Sequence, residues 1–305
     1  MTKPIIGFLG LGRMGDAMVQ HLQREGFQLH VMANRSRANV EAAVARGAVE
    51  EKTGKAVAEA ADIIMLCMDT SASVETRMNG PDGIMAGLSS GKTVIDFGTS
   101  LPGSTRALGD QVAATGAAYL DAPLGRTPAH ALEGKLNIMA AGDEAAYEAV
   151  EPVLEVLGEN VFHLGPLGAG HTVKLINNFF GMTVANAMAE AFAMADLAGV
   201  ERQQLYDVMS AGPLHSGMMD FVKAYAVDGD ATKLEFAVKN ARKDVGYYAT
   251  MADDAGVPSL MSASAKQALG LAVADGRGEH MVCHMVDFYA DLFAKAEDKP
   301  TKDAG

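Results

Sequence analysis

The first 165 residues alternate short apolar runs with segments of helical periodicity, and this alternation constrains the fold more than any other feature. Five apolar runs are each bounded by Gly, Asp, Asn or Thr, at residues 5–9, 29–32, 63–68, 93–97 and 118–120. Short strands separated by helices predict a parallel sheet with crossover helices. Two further runs, 136–140 and 161–164, are expected to extend this sheet, although periodicity does not give their direction.

The second half of the chain has a different pattern. After the segment LGPLGAGHTVK no strand-like run follows, and Ala, Met, Leu and Lys dominate to about residue 297, which predicts helices alone. The first helix should run from about Ala169 to Leu197, and its apolar residues cover every face, so we expect burial all round, between domains or between subunits. A membrane span is the competing interpretation, but a bilayer core needs about 20 apolar residues. Polar side chains interrupt this run at Asn177, Asn178, Thr183 and Asn186.

These patterns divide the chain into two domains. A length of 305 residues is about twice that of a typical single domain. We predict an α/β domain over residues 1–165, an all-α domain over residues 166–297 that begins with the long helix, and a polar, frayed tail over residues 298–305.

Composition limits the partners of the chain. The net charge of -13 argues against nucleic acid or an anionic membrane, so a bound anion must be held by a local pocket. Of the two cysteines, Cys67 lies in an apolar run, where a buried thiol is favoured over a disulfide with Cys283. The chain starts almost at once with a strand, which leaves no room for a secretory signal. We therefore expect a cytoplasmic protein.

A glycine-rich loop follows the first predicted strand. Gly10, Gly12 and Gly15 form G-x-G-x-x-G between this strand and an amphipathic helix. In this context the first glycine allows a tight turn, the second lets the backbone approach a diphosphate, and the third lets the helix sit close to the strand. The alternative is that the glycines shape a turn and nothing more. The predicted cofactor contacts of this loop are Gly10, Leu11, Gly12, Arg13, Met14 and Gly15.

The segment after the second strand bears on the choice of dinucleotide. An Asp or Glu that binds the ribose diol usually stands there, yet no acid occurs between Gly26 and Val40. Asn34, Arg35 and Ser36 stand in its place. A guanidinium and two small polar side chains can receive a 2′-phosphate, which favours NADP(H). Alternatively, Arg35 is a solvated residue at a helix start and NAD(H) is accepted as well.

Five motifs occur in order along the chain, and together they resemble the β-hydroxyacid dehydrogenase family, of the 3-hydroxyisobutyrate dehydrogenase type. They are GFLGLGRMG at 7–15, DFGTS at 96–100, DAPLGRT at 121–127, GAGHTVKLINN at 168–178 and KDVGYY at 243–248. The resemblance covers essentially the whole chain. It implies a Rossmann-type N-terminal domain, a long connecting helix, an all-α C-terminal domain, an active site in the cleft, and a homodimer or homotetramer.

Lys174 matches the catalytic lysine of the family, and its chemistry suits this role. It is the only cation in a long apolar stretch, and at i, i+4 spacing Asn178 lies on the same helix face. During carbonyl reduction an ammonium can stabilise the charge that develops on the oxygen and can supply the proton. The alternative is that Lys174 is a capping lysine at the helix start.

Three further positions match residues around the cofactor in the family. Lys243, in the Lys243-Asp244 pair, matches a second lysine that reaches the cofactor or the active site, although it could be part of a solvated helix face. Thr99 matches a threonine near the nicotinamide ribose, with a helix or turn cap as the alternative. Met68 matches a backbone position beside the adenosine, although most strand-end methionines are core residues.

Arg126 departs from the family pattern. Most members read D-A-P-V-S-G-G, whereas this chain has Gly125, Arg126 and Thr127 after its proline. The exchange adds a forked cation suited to a larger or more strongly acidic oxyanion. In this respect the chain resembles the sulfolactaldehyde reductases of the family, which implies that Arg126, Asn177 and Asn178 hold a sulfonate. Alternatively, Arg126 lies on the surface or pairs with Glu133.

The sequence therefore predicts an NAD(P)H-dependent reductase of a short anionic aldehyde, most specifically 3-sulfolactaldehyde. Alternatives are a carboxylate enzyme that oxidises 3-hydroxyisobutyrate or reduces succinic semialdehyde, and a non-catalytic NADPH-binding module. We expect no metal site, because His280 and His284 have i, i+4 spacing but flank no clear carboxylate ligand.

Overall fold

A six-stranded parallel sheet forms the centre of the N-terminal part of the chain. The computed structural model describes residues 3–33 and 37–297. The strands are β1 (Ile6–Leu9), β2 (Leu29–Met32), β3 (Val49–Glu51), β4 (Ile63–Leu66), β5 (Thr93–Asp96) and β6 (Ala118–Asp121). All neighbouring pairs are parallel, as predicted. The pattern did not predict β3, because this edge strand is short and lacks an apolar run.

The strand order is β3-β2-β1-β4-β5-β6. The chain first moves outward from β1 through β2 to β3, and then returns to place β4 on the other side of β1. The order therefore reverses between β1 and β4. In open α/β sheets, ligands bind outside the carboxyl ends of the strands at such a reversal.

Helices cover both faces of this sheet, because its strands are apolar on both faces. In β4, Ile63 and Met65 belong to one buried cluster, whereas Ile64 and Leu66 belong to a second cluster on the opposite face. The helices are α1 (Arg13–Arg24), α2 (Arg37–Ala45), α3 (Gly54–Ala60), α4 (Ser71–Met78), α5 (Pro102–Ala113), α6 (Pro128–Leu132) and α7 (Glu144–Leu157).

The two later apolar runs form a separate sheet, so the prediction that they extend the first sheet is wrong. This sheet has the order β7-β8-β9, with β7 at Leu124–Gly125, β8 at Leu136–Ala140 and β9 at Gly158–His163. β8 is antiparallel to β7 and parallel to β9. One isolated bridge joins Asp121 to Ala141, and it links the end of β6 to this sheet.

The chain divides into two compact units, Met1–Lys174 and Leu175–Gly305. This division falls inside the long helix, whereas the sequence placed the domain boundary just before it. The prediction of an α/β unit followed by an all-α unit is confirmed. The remaining helices are α8 (Ala169–Leu197), α9 (Arg202–Ser210), α10 (Gly217–Ala226), α11 (Val238–Asp254), α12 (Leu260–Ala272) and α13 (Met285–Glu297). The predicted tail, residues 298–305, lies outside the described residues.

Helix α8 has the predicted bounds, but one chain does not bury it on every face. Leu175 and Phe192 are fully buried, whereas Val173, Ile176 and Phe180 are exposed, Phe180 to 69%. These three exposed side chains recur at helical spacing and form one apolar stripe. Across residues 3–33 and 37–297, no helix combines the length and apolar content needed to cross a bilayer.

Candidate active site

The glycine-rich loop lies at the point where the strand order reverses. It follows β1, and the residues after β4 run beside it. The glycine at position 10 has a φ of 100°, and a Cβ there would lie 2.3 Å from the Cys67 carbonyl oxygen and 3.0 Å from the Met68 sulfur. The loops after β1 and β4 are therefore in direct contact, and Met68 lies at this edge of the sheet as predicted.

The three glycines of this loop differ in how much room the protein leaves for a side chain. A Cβ at Gly15 would lie 2.1 Å from the Gly10 carbonyl oxygen, so α1 approaches the loop too closely for any side chain. A Cβ at Gly12 would meet no atom of the described residues within 4 Å. The protein's own packing thus excludes side chains at Gly10 and Gly15, while the space beside Gly12 is open.

This open space fits the diphosphate of a dinucleotide. Gly12 is the N-cap residue of α1, and no side chain caps the first turn of the helix. A helix N-terminus presents N–H groups and the positive end of the helix dipole to an anion. The loop itself is held in place, because the Leu11 carbonyl oxygen accepts a hydrogen bond of 2.8 Å from Asn39 Nδ2. Arg13 is exposed and Met14 is half-buried beside it.

The residues predicted to select NADP(H), Asn34, Arg35 and Ser36, lie outside the described residues, so that preference stays a prediction. The neighbouring Arg37 pairs with the carboxylates of Glu41 and Glu50.

The thiol of Cys67 is free, as the sequence predicted, and Cys283 is also free. Burial, together with the charge of Asp96, raises the pKa of the Cys67 thiol to about 12. This thiol is therefore neutral at physiological pH.

The loop after β5 is shaped by the carboxylate of Asp96. Its Oδ1 atom accepts the Gly98 N–H at 2.8 Å, and its Oδ2 atom accepts the Ser100 hydroxyl at 2.9 Å. Thr99 lies between these two anchored residues. A Cβ at Gly98 would lie 2.9 Å from the Met68 carbonyl oxygen, so this loop also contacts the loop after β4. Met68 and Thr99 are therefore brought to one edge of the sheet.

The first turn of α8 is fixed by a second carboxylate, at the end of β6. Asp121 is fully buried, and its two oxygens accept the N–H groups of Gly168 and His171, each at 2.7 Å. Burial raises the pKa of Asp121, and His171 and these N–H groups oppose that shift. Lys174 follows His171 within one helical turn and is half-buried. Its position relative to β6 is therefore set by Asp121.

Sequence reasoning missed the buried polar residues behind this turn. Asp96, Thr105, Asp121 and His171 are all buried and lie together. The available signal was an aspartate at the end of each of two successive apolar strands, since a buried carboxylate needs donors nearby.

The loop after β7 places Arg126 in an unusual backbone conformation. Its φ of 75° is the only positive value outside glycine among the described residues. This region costs L-residues about 1–3 kcal/mol. Gly125 precedes it in β7, where a Cβ would lie 3.2 Å from the Asn137 Cβ atom, so the serine usual in the family would be crowded here. Thr127 follows, with its hydroxyl 2.8 Å from His130 Nδ1.

The guanidinium of Arg126 contacts the second sheet through one nitrogen. Nη1 donates to the Lys135 carbonyl oxygen at 2.7 Å and to the carboxylate of Glu159. Glu133 instead pairs with Lys135, so Arg126 does not pair with Glu133, but Arg126 is exposed and its ion pair with Glu159 agrees with the alternative of a surface arginine. Within the part of the chain that the structure describes, the Nε–Nη2 edge makes no hydrogen bond. Two parallel N–H groups of a guanidinium, such as those on this edge, can form a bidentate pair with an oxyanion.

In the second unit, the motif residues of α8 and α11 form one polar chain. Asn178 Nδ2 donates to Asp244 Oδ2 at 2.6 Å, and Asn178 Oδ1 accepts from Asn177 Nδ2 at 3.2 Å. Lys243 Nζ lies 3.0 Å from Asp244 Oδ1. Asp244 is 2% exposed and Asn178 is 8% exposed, whereas Asn177 is exposed. Of the two asparagines, Asn177 is therefore the accessible one, and Asn178 is held by Asp244.

The sheet reversal, the open glycine and the lysine of α8 together define a dinucleotide-dependent oxidoreductase. Residues 5–165 match the family model for the NAD binding domain of 6-phosphogluconate dehydrogenase. Residues 168–289 match the model for the NAD-binding domain of NADP-dependent 3-hydroxyisobutyrate dehydrogenase. The chain belongs to the β-hydroxyacid dehydrogenase family, whose members act on hydroxyl and carbonyl groups.

Individual relatives span nearly the whole chain. The 2-(hydroxymethyl)glutarate dehydrogenase of Eubacterium barkeri is 34% identical, over 88% of this chain and 89% of its own. The 3-sulfolactaldehyde reductase of Escherichia coli (strain K12) is 30% identical, over 90% of this chain and 91% of its own. The solved structure of Psf3 in complex with NADP+ and 2-OPP has a TM-score of 0.80 at 25% identity, and the match covers 95% of this chain and 100% of that chain.

Proposed function

We propose that this protein is an NADPH-preferring reductase of a short anionic aldehyde, and that it converts 3-sulfolactaldehyde to 2,3-dihydroxypropane-1-sulfonate reversibly. The observation that carries the proposal is the Nε–Nη2 edge of Arg126, which forms no hydrogen bond with any residue that the structure describes. A guanidinium edge donates two parallel N–H bonds, which suits a sulfonate because it offers three equivalent oxygens. The relative named 3-sulfolactaldehyde reductase supports this choice of substrate.

In this proposal, Lys174 is the general acid in reduction and the general base in oxidation. A bound nicotinamide dinucleotide supplies or accepts the hydride. The Lys174 ammonium stabilises the negative charge that develops on the substrate oxygen and donates a proton to it. In the oxidative direction the neutral amine accepts the proton of the hydroxyl group.

The other predicted substrate contacts have distinct roles in the proposal. Asn177 is exposed and donates to the anionic group, whereas Asn178, held by Asp244, orients that donor. Gly125 and Thr127 contribute through the backbone on either side of Arg126.

In the proposal, some cofactor contacts come from the backbone and others from side chains. The backbone of residues 10–15 holds the diphosphate, and Met68 and Thr99 line the same sheet edge. Lys243 acts on the cofactor from its ion pair with Asp244. The preference for NADPH rests on Asn34, Arg35 and Ser36, and it is supported by the NADP-dependent family model and by the NADP+ complex of a structural neighbour.

A carboxylate substrate is the second candidate. The relative at 34% identity is named for 2-(hydroxymethyl)glutarate, and a guanidinium edge binds a carboxylate as well as a sulfonate. The two candidates differ in the anion and agree in the role of Lys174.

The exposed stripe of α8 leads us to propose a homodimer or homotetramer in which a second copy covers Val173, Ile176 and Phe180. Exposed apolar stripes of this kind are typical of subunit interfaces. Light scattering on wild type and on Phe180→Glu tests this assignment. We expect an oligomer for the wild type and a monomer for the variant. A monomeric wild type would overturn the proposal.

The main proposal is tested by steady-state reduction of 3-sulfolactaldehyde and succinic semialdehyde, each with NADPH and with NADH. We expect a preference for the sulfonate and for NADPH. Lys174→Ala should lower kcat by about a thousandfold, within the range for a general acid. Lys223→Ala is the matched control, because Lys223 pairs with Asp228 and is not a motif residue. If Lys174→Ala retained wild-type turnover, the role of Lys174 would be wrong, and if the protein reduced neither aldehyde, the proposed reaction would be wrong.

A further inference from the structure

One buried imidazole lies where three of the sequence motifs meet. His171 is fully buried in the first turn of α8. Its Nε2 atom lies 3.8 Å from Asp96 Oδ2 at the end of β5, and its Nδ1 atom lies 3.7 Å from Asp121 Oδ2 at the end of β6. The ring belongs to the GAGHTVK motif, and it stands between the carboxylates of the DFGTS and DAPLGRT motifs.

A hydrogen bond to Thr105 orients this ring. Thr105 Oγ1 lies 2.8 Å from His171 Nδ1, and the same hydroxyl donates to the Leu101 carbonyl oxygen at 3.1 Å. A hydroxyl has one proton to donate, so Thr105 accepts the Nδ1 proton of His171. The Nε2 atom lies on the side of Asp96 and forms no hydrogen bond with the described residues.

The backbone under the ring is also fixed. Asp121 accepts the His171 N–H at 2.7 Å, and a Cβ at Gly170 would lie 2.2 Å from the Met139 carbonyl oxygen. The first turn of α8 thus packs directly on the ends of β6 and β8. A shift of the ring would therefore disturb a turn that has little room to adjust.

We infer that His171 is a positioning residue for Lys174, an inference that rests on the proposed role of Lys174. Positions i and i+3 are neighbours on a helix face, so the orientation of the buried ring fixes the turn that carries the lysine. A misplacement of about 1 Å can cost about a hundredfold in rate. Asp96 anchors the residues on both sides of Thr99 through its own hydrogen bonds, which do not involve the ring.

His171 acts without touching the substrate, since its side chain has no exposed surface. Loss of the ring should therefore reduce the rate of the chemical step and leave cofactor affinity unchanged. A histidine that served only folding would lower stability without this separation. His21 offers such a comparison, because its ring nitrogens contact the carbonyl oxygens of Leu132 and Val156 at 3.1 and 2.9 Å, away from this cluster.

The experiment measures kcat, the KM for NADPH and the primary isotope effect with 4-deuterated NADPH, using the aldehyde that the wild type reduces fastest. The variants are His171→Ala, His171→Asn and Thr105→Val. His21→Ala is the control for lost stability, and Lys174→Ala is the reference for lost proton transfer.

We expect His171→Ala to lower kcat by about tenfold or more, with the KM for NADPH changed by less than about twofold. The isotope effect should rise, because the chemical step becomes more rate-limiting. His171→Asn should recover part of the loss, since its amide nitrogen can replace Nδ1 as donor to Thr105. Thr105→Val should lower kcat in the same way but less, and His21→Ala should leave kcat and the isotope effect as in the wild type.

The outcomes separate this inference from the proposed function. Wild-type kcat and isotope effect in both His171→Ala and Thr105→Val, beside an inactive Lys174→Ala, would overturn the positioning role alone. An active Lys174→Ala would overturn the proposed function first. If His171→Ala does not fold, Thr105→Val decides, because it removes one hydroxyl and keeps the size of the side chain.

Discussion

The loop after β1 and the loop after β7 both contact ligands in our proposal, but the first would do so through its backbone and the second through a side chain. In the first loop, backbone atoms leave no room for a side chain at Gly10 or Gly15. In the second loop, Arg126 adopts a conformation that favours glycine, and its side chain contacts the Glu159 carboxylate. The first loop is thus determined by backbone packing, and the second by the placement of one cation.

Because of this difference, the first loop indicates the class of cofactor, and the second loop bears on the choice of substrate. A backbone that approaches a diphosphate suits any dinucleotide, so the glycine pattern reports the class of cofactor. In our proposal, the guanidinium of Arg126 recognises the anionic group of the substrate. Backbone strain of the kind at Arg126 persists where a function retains it. The following predictions test whether the two loops separate in this way.

The largest effect is expected at Gly15. Replacement by alanine would put a Cβ 2.1 Å from the Gly10 carbonyl oxygen, and a backbone atom cannot move aside as a side-chain end can. Gly15→Ala should lower the free energy of unfolding by about 3 kcal/mol or more. Urea denaturation measures this change. A loss below about 1 kcal/mol would show that α1 is free to move away from the loop.

Gly12→Ala should leave the fold intact and weaken the binding of the cofactor. Its Cβ meets no atom of residues 3–33 and 37–297 within 4 Å, so the free energy of unfolding should change by less than about 1 kcal/mol, the usual cost at an N-cap. The added methyl group would occupy the space assigned to the diphosphate. We expect the Kd for NADPH, measured by fluorescence titration, to rise by about tenfold, which is about 1.4 kcal/mol. Unchanged NADPH affinity would argue against a diphosphate at this position.

The pair Arg126→Ala and Arg126→Gly separates the backbone of the second loop from its side chain. Both variants lose the guanidinium, but only glycine adopts a φ of 75° without strain. Arg126→Gly should be more stable than Arg126→Ala by about 1 kcal/mol in thermal or urea unfolding. Equal stabilities would mean that the loop relaxes once the arginine is lost.

Glu159→Gln should have the smallest effect. The Arg126–Glu159 pair is partly exposed, and such pairs contribute about 0–1 kcal/mol to stability. Because the proposed anion site uses the Nε–Nη2 edge, loss of the charge on the Nη1 side should leave kcat/KM for an anionic aldehyde within about threefold of the wild type. A larger loss would show that Glu159 places the guanidinium for the substrate.

The parts of the fold that follow from periodicity could be predicted from the sequence. The parallel strands, the bounds of α8 and the helices of the second unit could be predicted because the spacing of their apolar residues repeats over many positions. The separate sheet could not be predicted, because periodicity gives neither the direction nor the partner of β8. The sequence predicts burial of α8 between domains or between subunits, but it does not show whether its own chain or another one covers Phe180, which the single chain leaves exposed.

The candidate site divides in the same way. Gly12 and Lys174 could be proposed from local sequence alone. Gly12 lies between a predicted strand and a predicted helix, and Lys174 lies on a predicted helix face. Partners that are distant in sequence could not be found. Glu159 contacts Arg126 from β9, and Asp244 holds Asn178 from another helix. The role of His171 was hidden for the same reason, since two of its neighbours come from different strands.

The most direct test is the ratio of kcat/KM for 3-sulfolactaldehyde to kcat/KM for succinic semialdehyde, measured with saturating NADPH in wild type, Arg126→Ala and Glu159→Gln. We predict a sulfonate preference of about tenfold or more, equivalent to about 1.4 kcal/mol of transition-state binding, in the wild type and in Glu159→Gln. Arg126→Ala should remove this preference. Equal rates, or a carboxylate preference that Arg126→Ala leaves unchanged, would contradict the assignment of Arg126 as the residue that recognises the sulfonate.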